Sequence, residues 1–134
     1  MITIIQSGRF GLSSLSDLSP VLWLDASDAS TLTLAGSAVS QWSNKGSLGG
    51  YVSQGVTTSK PTSGIHSQNG KNVLYFDGGD DLSSNLASSS WKFLHDGTSQ
   101  YIALAVASVT STTPSGQSLV ATKTSAAGIG CELR

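Results

Sequence analysis

The sequence predicts an all-β chain folded as an antiparallel β-sandwich. The first observation is composition: charged residues make up 11% of the 134 residues, and Glu132 is the only glutamate. The solvent-exposed face of a helix usually carries Glu, Lys and Arg, and this chain has few of them. Its abundant Ser, Thr, Gly and Val favour strands and turns. The second observation is spacing, because many short apolar segments alternate with Gly- and Ser-rich turns, as in β-sandwiches.

The chain divides by pattern into an N-terminal arm, residues 1–19, and a sandwich domain, residues 20–134. Isoleucines among the first five residues predict a short strand. Leucines at every third position from Leu12 to Leu18 predict one or two helical turns, ended by Pro20. The arm either packs back across the domain or attaches the chain to a neighbouring subunit, and the sequence leaves both alternatives open.

Apolar runs in the domain predict a series of strands. They are Val21–Leu24, Leu32–Leu34, Val39–Trp42, Asn72–Asp77, Leu82–Leu86, Tyr101–Val109, Leu119–Thr122 and Ile129–Leu133. The Asn72–Asp77 run is apolar enough to be covered on both faces, and Tyr101–Val109 alternates like a central strand. Residues 26–31 predict a helical turn capped by Asp25 or Ser27, and residues 88–94 predict another. Residues 47–59 predict a long loop with one short strand inside.

Composition also argues against several classes of function. The formal net charge is −1 at pH 7 and basic runs are missing, so we do not expect a nucleic-acid partner. No apolar segment approaches the roughly 18 residues of a membrane span. No basic residues precede the first apolar run, which argues against a secretory signal and for assembly in the cytoplasm. Cys131 is the only cysteine, so an internal disulfide is impossible.

Four segments carry a family resemblance. They are Leu22-Trp23-Leu24-Asp25-Ala26-Ser27-Asp28, Val39-Ser40-Gln41-Trp42-Ser43-Asn44-Lys45, Lys60-Pro61-Thr62 and the run from Asn69 to Asp81. In this order they resemble the concanavalin A-like (laminin-G-like) lectin/glucanase domains of bacteriophage structural and tail proteins, over Pro20 to Leu133. The resemblance implies a jelly-roll sandwich. It also implies further strands after Cys131, so the sandwich is expected to be incomplete unless more sequence or a partner completes it, or it closes by itself.

No catalytic residue is predicted. Glycoside hydrolysis usually needs two facing carboxylates, and the glucanases of this fold carry them as a glutamate pair on one strand. A single glutamate cannot supply that pair, so we expect a protein that is not an enzyme. His66 and His95 lie in predicted loops without a surrounding motif, and one cysteine with two histidines does not make a zinc site.

Two binding hypotheses remain. Asp77, Asp80 and Asp81 surround two glycines and offer the oxygen ligands that calcium prefers. The alternative is that these carboxylates cap the turn by accepting backbone N–H groups. Leu82 stands where the family usually has an aromatic residue, which changes the expected loop. Tyr51 and Trp91 lie in polar segments and are the candidate carbohydrate-binding residues, whereas Trp23 and Trp42 belong to the core.

The sequence therefore predicts a non-enzymatic virion protein of a bacteriophage: a decoration, fibre or tail module acting in surface architecture or host adhesion. Its expected partners are other virion proteins, bound through the arm, and further copies of itself, most simply as a trimer. A host-surface glycan is a further expected partner. The alternative is a free-standing carbohydrate-binding lectin or adhesin module.

Overall fold

The computed structural model describes residues 2–5, 14–94, 96–98, 102–108, 118–122 and 132–133. Within these ranges the regular structure consists of eleven strands and four short 3₁₀ helices, and every strand pair is antiparallel. The prediction of an all-β chain is confirmed. None of the helices in this part of the chain is long and apolar enough to cross a membrane.

The strands follow one another at short intervals. They are β1 Ile2–Ile5, β2 Leu22–Leu24, β3 Leu32–Ala35, β4 Ala38–Ser43, β5 Tyr51–Ser53, β6 Thr62–Gln68, β7 Lys71–Tyr75, β8 Ser83–Ser84, β9 Ile102–Ala105, β10 Val120–Ala121 and β11 Glu132–Leu133. The 3₁₀ helices are Leu15–Leu18, Ala29–Thr31, Thr57–Ser59 and Ser88–Leu94.

The strands pair into one large and two small sheets. The large sheet has the order β7-β6-β4-β5-β8, and β3 pairs with β4. A three-stranded sheet has the order β2-β1-β9, and β10 pairs with β11. β1 lies between β2 and β9 and pairs with both. Residues 2–5 of the N-terminal arm therefore pack against the domain, as one of the two alternatives for the arm predicts.

A small apolar core lies against the large sheet. Its fully packed members are Leu22, Leu24, Ala26, Val39, Trp42 and Leu94, with Leu32, Val52, Leu74, Leu82, Trp91, Phe93 and Ala103 packed around them. Val39 and Trp42 are three residues apart yet both buried, because the pairing of β3 with β4 shifts register between Thr33 and Leu34. Such a bulge places an extra residue in one strand and turns the following side chain back to the same face.

Two predictions about strand position are wrong. β7 is an outer strand of the large sheet, so Tyr75 and the following Phe76 are 37% and 44% exposed instead of covered on both faces. β9 is an outer strand of the three-stranded sheet, and Ile102 and Leu104 are about half exposed while Ala103 packs against the core. An apolar run predicts that a strand forms. It does not predict whether the strand is central or outer, because the neighbouring strands come from distant segments.

Local details also differ from the predictions. The helical turn at residues 29–31 is capped by Asp28, whose carboxylate accepts from the Ser30 N–H, instead of by Asp25 or Ser27. β6 was not predicted, since Ile65 is its only large apolar residue. The remaining parts of the predicted strands 101–109 and 129–133, together with His95 and Cys131, lie outside the described residues.

Candidate functional site

The Asn44 side chain joins the large sheet to the three-stranded sheet. It follows β4, and its Oδ1 accepts from the backbone N–H of Trp23 at 2.7 Å and of Gly46 at 2.8 Å. Its Nδ2 donates to the carbonyl oxygens of Val21 at 3.1 Å and Gly49 at 3.0 Å. An amide side chain offers two donor hydrogens and two acceptor lone pairs, so Asn44 uses its whole hydrogen-bonding capacity here.

The turn after Asn44 lies directly against the start of β2. The N–H groups of Lys45, Ser47 and Leu48 donate to the carbonyl oxygens of residues 23, 20 and 21, at 2.9, 2.9 and 3.1 Å. A Cβ on Gly46 would collide with the Val21 carbonyl oxygen. Glycine at this position is therefore required by the close approach of two backbones, and the Asn-Lys-Gly sequence is a structural junction.

Lys45 closes a charged cluster over this junction. Its Nζ lies 2.8 Å from Asp28 Oδ2 and 3.4 Å from Asp25 Oδ2. The same ammonium lies 4.4 Å from the centroid of the Trp23 ring, within reach of a cation–π interaction. Each carboxylate also accepts two hydrogen bonds from the serine two positions further along the chain, one from its backbone N–H and one from its hydroxyl. Asp25 accepts them from Ser27, and Asp28 accepts them from Ser30.

The cluster holds both carboxylates in the ionised form. The hydrogen bonds from Lys45 and Ser30 lower the pKa of Asp28 to about 2. Partial burial raises the pKa of Asp25, but hydrogen bonds from Ser27 and Lys45 outweigh it, so the net direction is downward. The hydrogen bond to Asp28 raises the pKa of Lys45. A general acid near neutral pH needs a carboxyl whose pKa is raised. The pKa values of Asp25 and Asp28 are both lowered, which does not suit that role.

The predicted calcium turn has the hydrogen bonds of the capping alternative. Asp80 Oδ2 accepts from the Asp77 N–H at 3.0 Å, and Asp77 Oδ1 accepts from the Gly79 N–H at 2.8 Å. Asp81 points elsewhere and accepts from Gln54 Nε2 at 2.6 Å. Across the described ranges, no three His, Cys, Asp or Glu side chains converge on a position that could hold a metal ion. Calcium binding by Asp77, Asp80 and Asp81 stays a prediction.

Tyr51 and Trp91 line the same surface depression. It is shallow, with a cavity volume of about 10 Å³, and its other walls include Leu22, Leu24 and Leu86. Tyr51 is 36% exposed, whereas Trp91 is half-buried and packs against the core. Pockets for drug-sized ligands are far larger, about 300–1,000 Å³, so this depression does not enclose a ligand, and a ring could only lie against its surface.

Sequence reasoning missed the residues that organise this region. Asn44 and Lys45 were part of the quoted motif, but no function was predicted for either. A second asparagine, Asn72, acts similarly: its Nδ2 donates to the Ala26 carbonyl at 2.7 Å and to Ser63 Oγ at 3.0 Å. The available signal was a polar residue at the end of a strand, two positions from a glycine. His66, predicted as a loop residue, lies in β6 with its ring 4.8 Å from that of Tyr75.

Searches against protein-family models, curated protein sequences and solved structures find no match to this chain.

We predict that Asn44→Asp destabilises the fold, because a carboxylate would face the carbonyl oxygens of Val21 and Gly49 without a donor hydrogen. Unsatisfied buried groups cost about 1–3 kcal/mol each. Urea unfolding of the variant should give a midpoint well below that of the parent chain. Gln68→Ala, at an exposed position of β6, is the control and should leave the midpoint within experimental error. Equal midpoints for the two variants would contradict the assigned role of Asn44.

We predict that the charged cluster makes stability acid-sensitive. Because folding lowers the pKa of Asp28 from 3.8 to about 2, its stabilisation is present above pH 3.8 and is lost as pH falls towards 2. The melting temperature of the parent chain should fall across this window. Lys45→Met keeps the aliphatic stem over Trp23 and should flatten the decline, whereas Lys92→Met should not. A decline of the same slope in Lys45→Met would show that the cluster does not cause it.

Proposed function

We propose that this chain is a non-enzymatic structural module of a bacteriophage virion, a decoration, fibre or tail module acting in surface architecture or host adhesion. The residues that resemble the phage concanavalin A-like domains support the proposal through their positions. Leu22, Leu24 and Trp42 lie in the core, and Asn44 and Lys45 connect the two sheets. Because these motif residues pack the core and join the sheets, they favour an architectural role. The proposed arrangement of the sheets is the jelly-roll sandwich.

The main support for this proposal is that the clustered carboxylates are bound by other groups of the same chain. Lys45 holds Asp25 and Asp28 ionised, and backbone N–H groups engage Asp77 and Asp80. A carboxylate that donates a proton to a leaving group needs a raised pKa and an open path to the substrate. The observed arrangement supports a protein that acts by contact instead of turnover.

The proposed partners are other virion proteins and further copies of this chain, with a trimer as the simplest assembly. The arm, residues 1–19, is the proposed attachment segment. Because β1 belongs to the sheet, deletion of the whole arm would remove a paired strand. Substitution of Leu15 and Leu18, both half-buried in a 3₁₀ helix, is a gentler test of attachment.

The function is tested by purifying phage particles from the source culture on a density gradient. We expect peptides of this chain, identified by mass spectrometry, to band with capsid and tail proteins in the particle fraction. A host cytosolic protein serves as the marker for carry-over. Recovery of the chain only with that marker would overturn the virion assignment. Leu15→Ser/Leu18→Ser should lower incorporation, while Val56→Ser, at a 58% exposed position, should not.

A second function, carbohydrate binding, is favoured by one specific observation. Tyr51 and Trp91 are forty positions apart in sequence and line one depression. An aromatic ring provides a flat apolar surface with a polar edge, which suits the apolar face of a sugar ring. Asn85 lies beside them, since its Oδ1 accepts from the Tyr51 N–H at 2.7 Å. In this version the module binds a host-surface glycan while serving as a particle component or as a free-standing lectin.

The carbohydrate-binding hypothesis predicts retention of the protein on a glycan array or on host-surface polysaccharide, with loss in Tyr51→Ala. Tyr75→Ala removes a similarly exposed aromatic ring from another strand and should leave retention unchanged. Running both proteins with calcium and with a chelator tests the calcium hypothesis at Asp77, Asp80 and Asp81. No retention of the parent chain on any glycan, in either buffer, would contradict this second function.

A further inference from the structure

We propose that Asn69 is a site of spontaneous deamidation through a succinimide formed with Gly70. Asn69 and Gly70 form the two-residue turn between β6 and β7, where Gln68 pairs with Lys71. Their φ angles are +51° and +71°, both left-handed, as a type I′ hairpin turn requires. The proposal concerns a chemical modification and is independent of the virion and carbohydrate hypotheses.

The four asparagines of the chain differ sharply in their contacts. The side chains of Asn44, Asn72 and Asn85 all accept or donate hydrogen bonds to backbone groups, at 2.7–3.1 Å. Within the described ranges, no hydrogen bond involves the side chain of Asn69, which is exposed. The residues after the other three asparagines are Lys, Val and Leu, whereas Asn69 is followed by glycine. Asn69 alone combines a free amide with an unhindered following residue.

Space around the turn allows the ring to close. Apart from its chain neighbours Asn69 and Lys71, no atom lies within 4 Å of the position that a Cβ on Gly70 would occupy. Residues 64–71 are all exposed, so rotation about the Asn69 backbone and side chain breaks no packing. Among the residues that the structure describes, the two strands next to the turn pair only with each other in this region, since β6 meets β4 at Thr62. Opening of the hairpin tip is therefore a local event with a small free-energy cost.

The chemistry needs only water and a base from solvent. The backbone nitrogen of Gly70 loses its proton to hydroxide and attacks the side-chain carbonyl carbon of Asn69. The new C–N bond closes a five-membered succinimide ring, and the side-chain nitrogen leaves as ammonia. Water then adds to either ring carbonyl, which opens to aspartate or to β-linked isoaspartate. No oxidant or reductant takes part, and asparagine is among the thermolabile residues of proteins for this reason.

The modification changes the hairpin in two ways. It adds a negative charge next to Lys71 in a chain whose formal net charge is −1 at pH 7. The isoaspartate form also lengthens the backbone of a two-residue turn, which disfavours the type I′ geometry and the Gln68–Lys71 pairing. Both effects stay at the tip, distant in sequence from the core residues of β2 and β4.

The test is a time course of the folded full-length chain at neutral and mildly alkaline pH, followed by peptide mapping. We expect a gain of about 1 Da in the peptide containing Asn69, with faster gain at higher pH and isoaspartate at that position. Asn44, Asn72 and Asn85 in the same sample are internal controls and should stay unmodified. Asn69→Gln should abolish the gain, since a glutamine would have to form a larger ring.

Two further samples, a Gly70→Ala variant and an unfolded control, complete the test. Gly70→Ala should slow the gain severalfold, and circular dichroism establishes that the variant is folded. A urea-unfolded sample measures the rate for the same sequence without the turn. Gain at Asn69 in the folded chain at a rate comparable to the unfolded rate supports the proposal. Modification only after unfolding, or first at another asparagine of the folded chain, overturns it.

Discussion

The structure depends on how backbone polar groups are satisfied where the two main sheets meet. At that point the chain after β4 runs against the start of β2, and neither segment offers a complete strand ladder to the other. Asn44 supplies the missing donors and acceptors from one side chain. Buried N–H and C=O groups that lack partners are costly, so this amide stabilises the junction together with the backbone hydrogen bonds of Lys45, Ser47 and Leu48. Glu or Asp could not substitute, because neither donates when ionised.

The core residues explain why the junction matters so much. Leu22 and Leu24 come from β2, and Val39 and Trp42 come from β4, so the two strands that Asn44 joins also supply most of the packed core. In the described part of the chain this core has only six fully packed apolar members. Hydrophobic burial is nondirectional and tolerates sliding of one sheet over another. The hydrogen bonds of Asn44 are directional, and they position the chain after β4 against the backbone of Val21 and Trp23.

The charged cluster extends this logic to the surface. Lys45 follows Asn44 directly, so the backbone geometry that places the amide also places the ammonium over Trp23 and beside Asp25 and Asp28. Exposed ion pairs contribute little individually, about 0–1 kcal/mol, and salt weakens them. Here one lysine covers an aromatic ring and engages two carboxylates, and both carboxylates also cap turns. The acidic motif of the sequence therefore has a role in local folding.

The sequence predicted strand positions better than strand neighbours. Apolar runs located β2, β3, β4 and β7 within one or two residues, because burial of one face demands such runs. β6 escaped notice since its polar residues pair at an exposed hairpin. Which strands lie at an edge, and that Tyr51 and Trp91 share a depression, depend on contacts between distant segments that periodicity does not encode. For the same reason the motif containing Asn44 was visible while its bonding partners were not.

Residue type alone also fails to predict the fate of an asparagine in this chain. Asn44 and Asn72 donate hydrogen bonds to backbone groups of other segments, which fixes the orientation of each amide. Asn69 is placed by turn geometry instead, because a left-handed φ is tolerated by asparagine and glycine better than by other residues. The same preference that makes Asn-Gly a good hairpin turn leaves the amide beside an unhindered backbone nitrogen. A chain that uses asparagine for both purposes is chemically stable where its sheets join and reactive only where its hairpin ends.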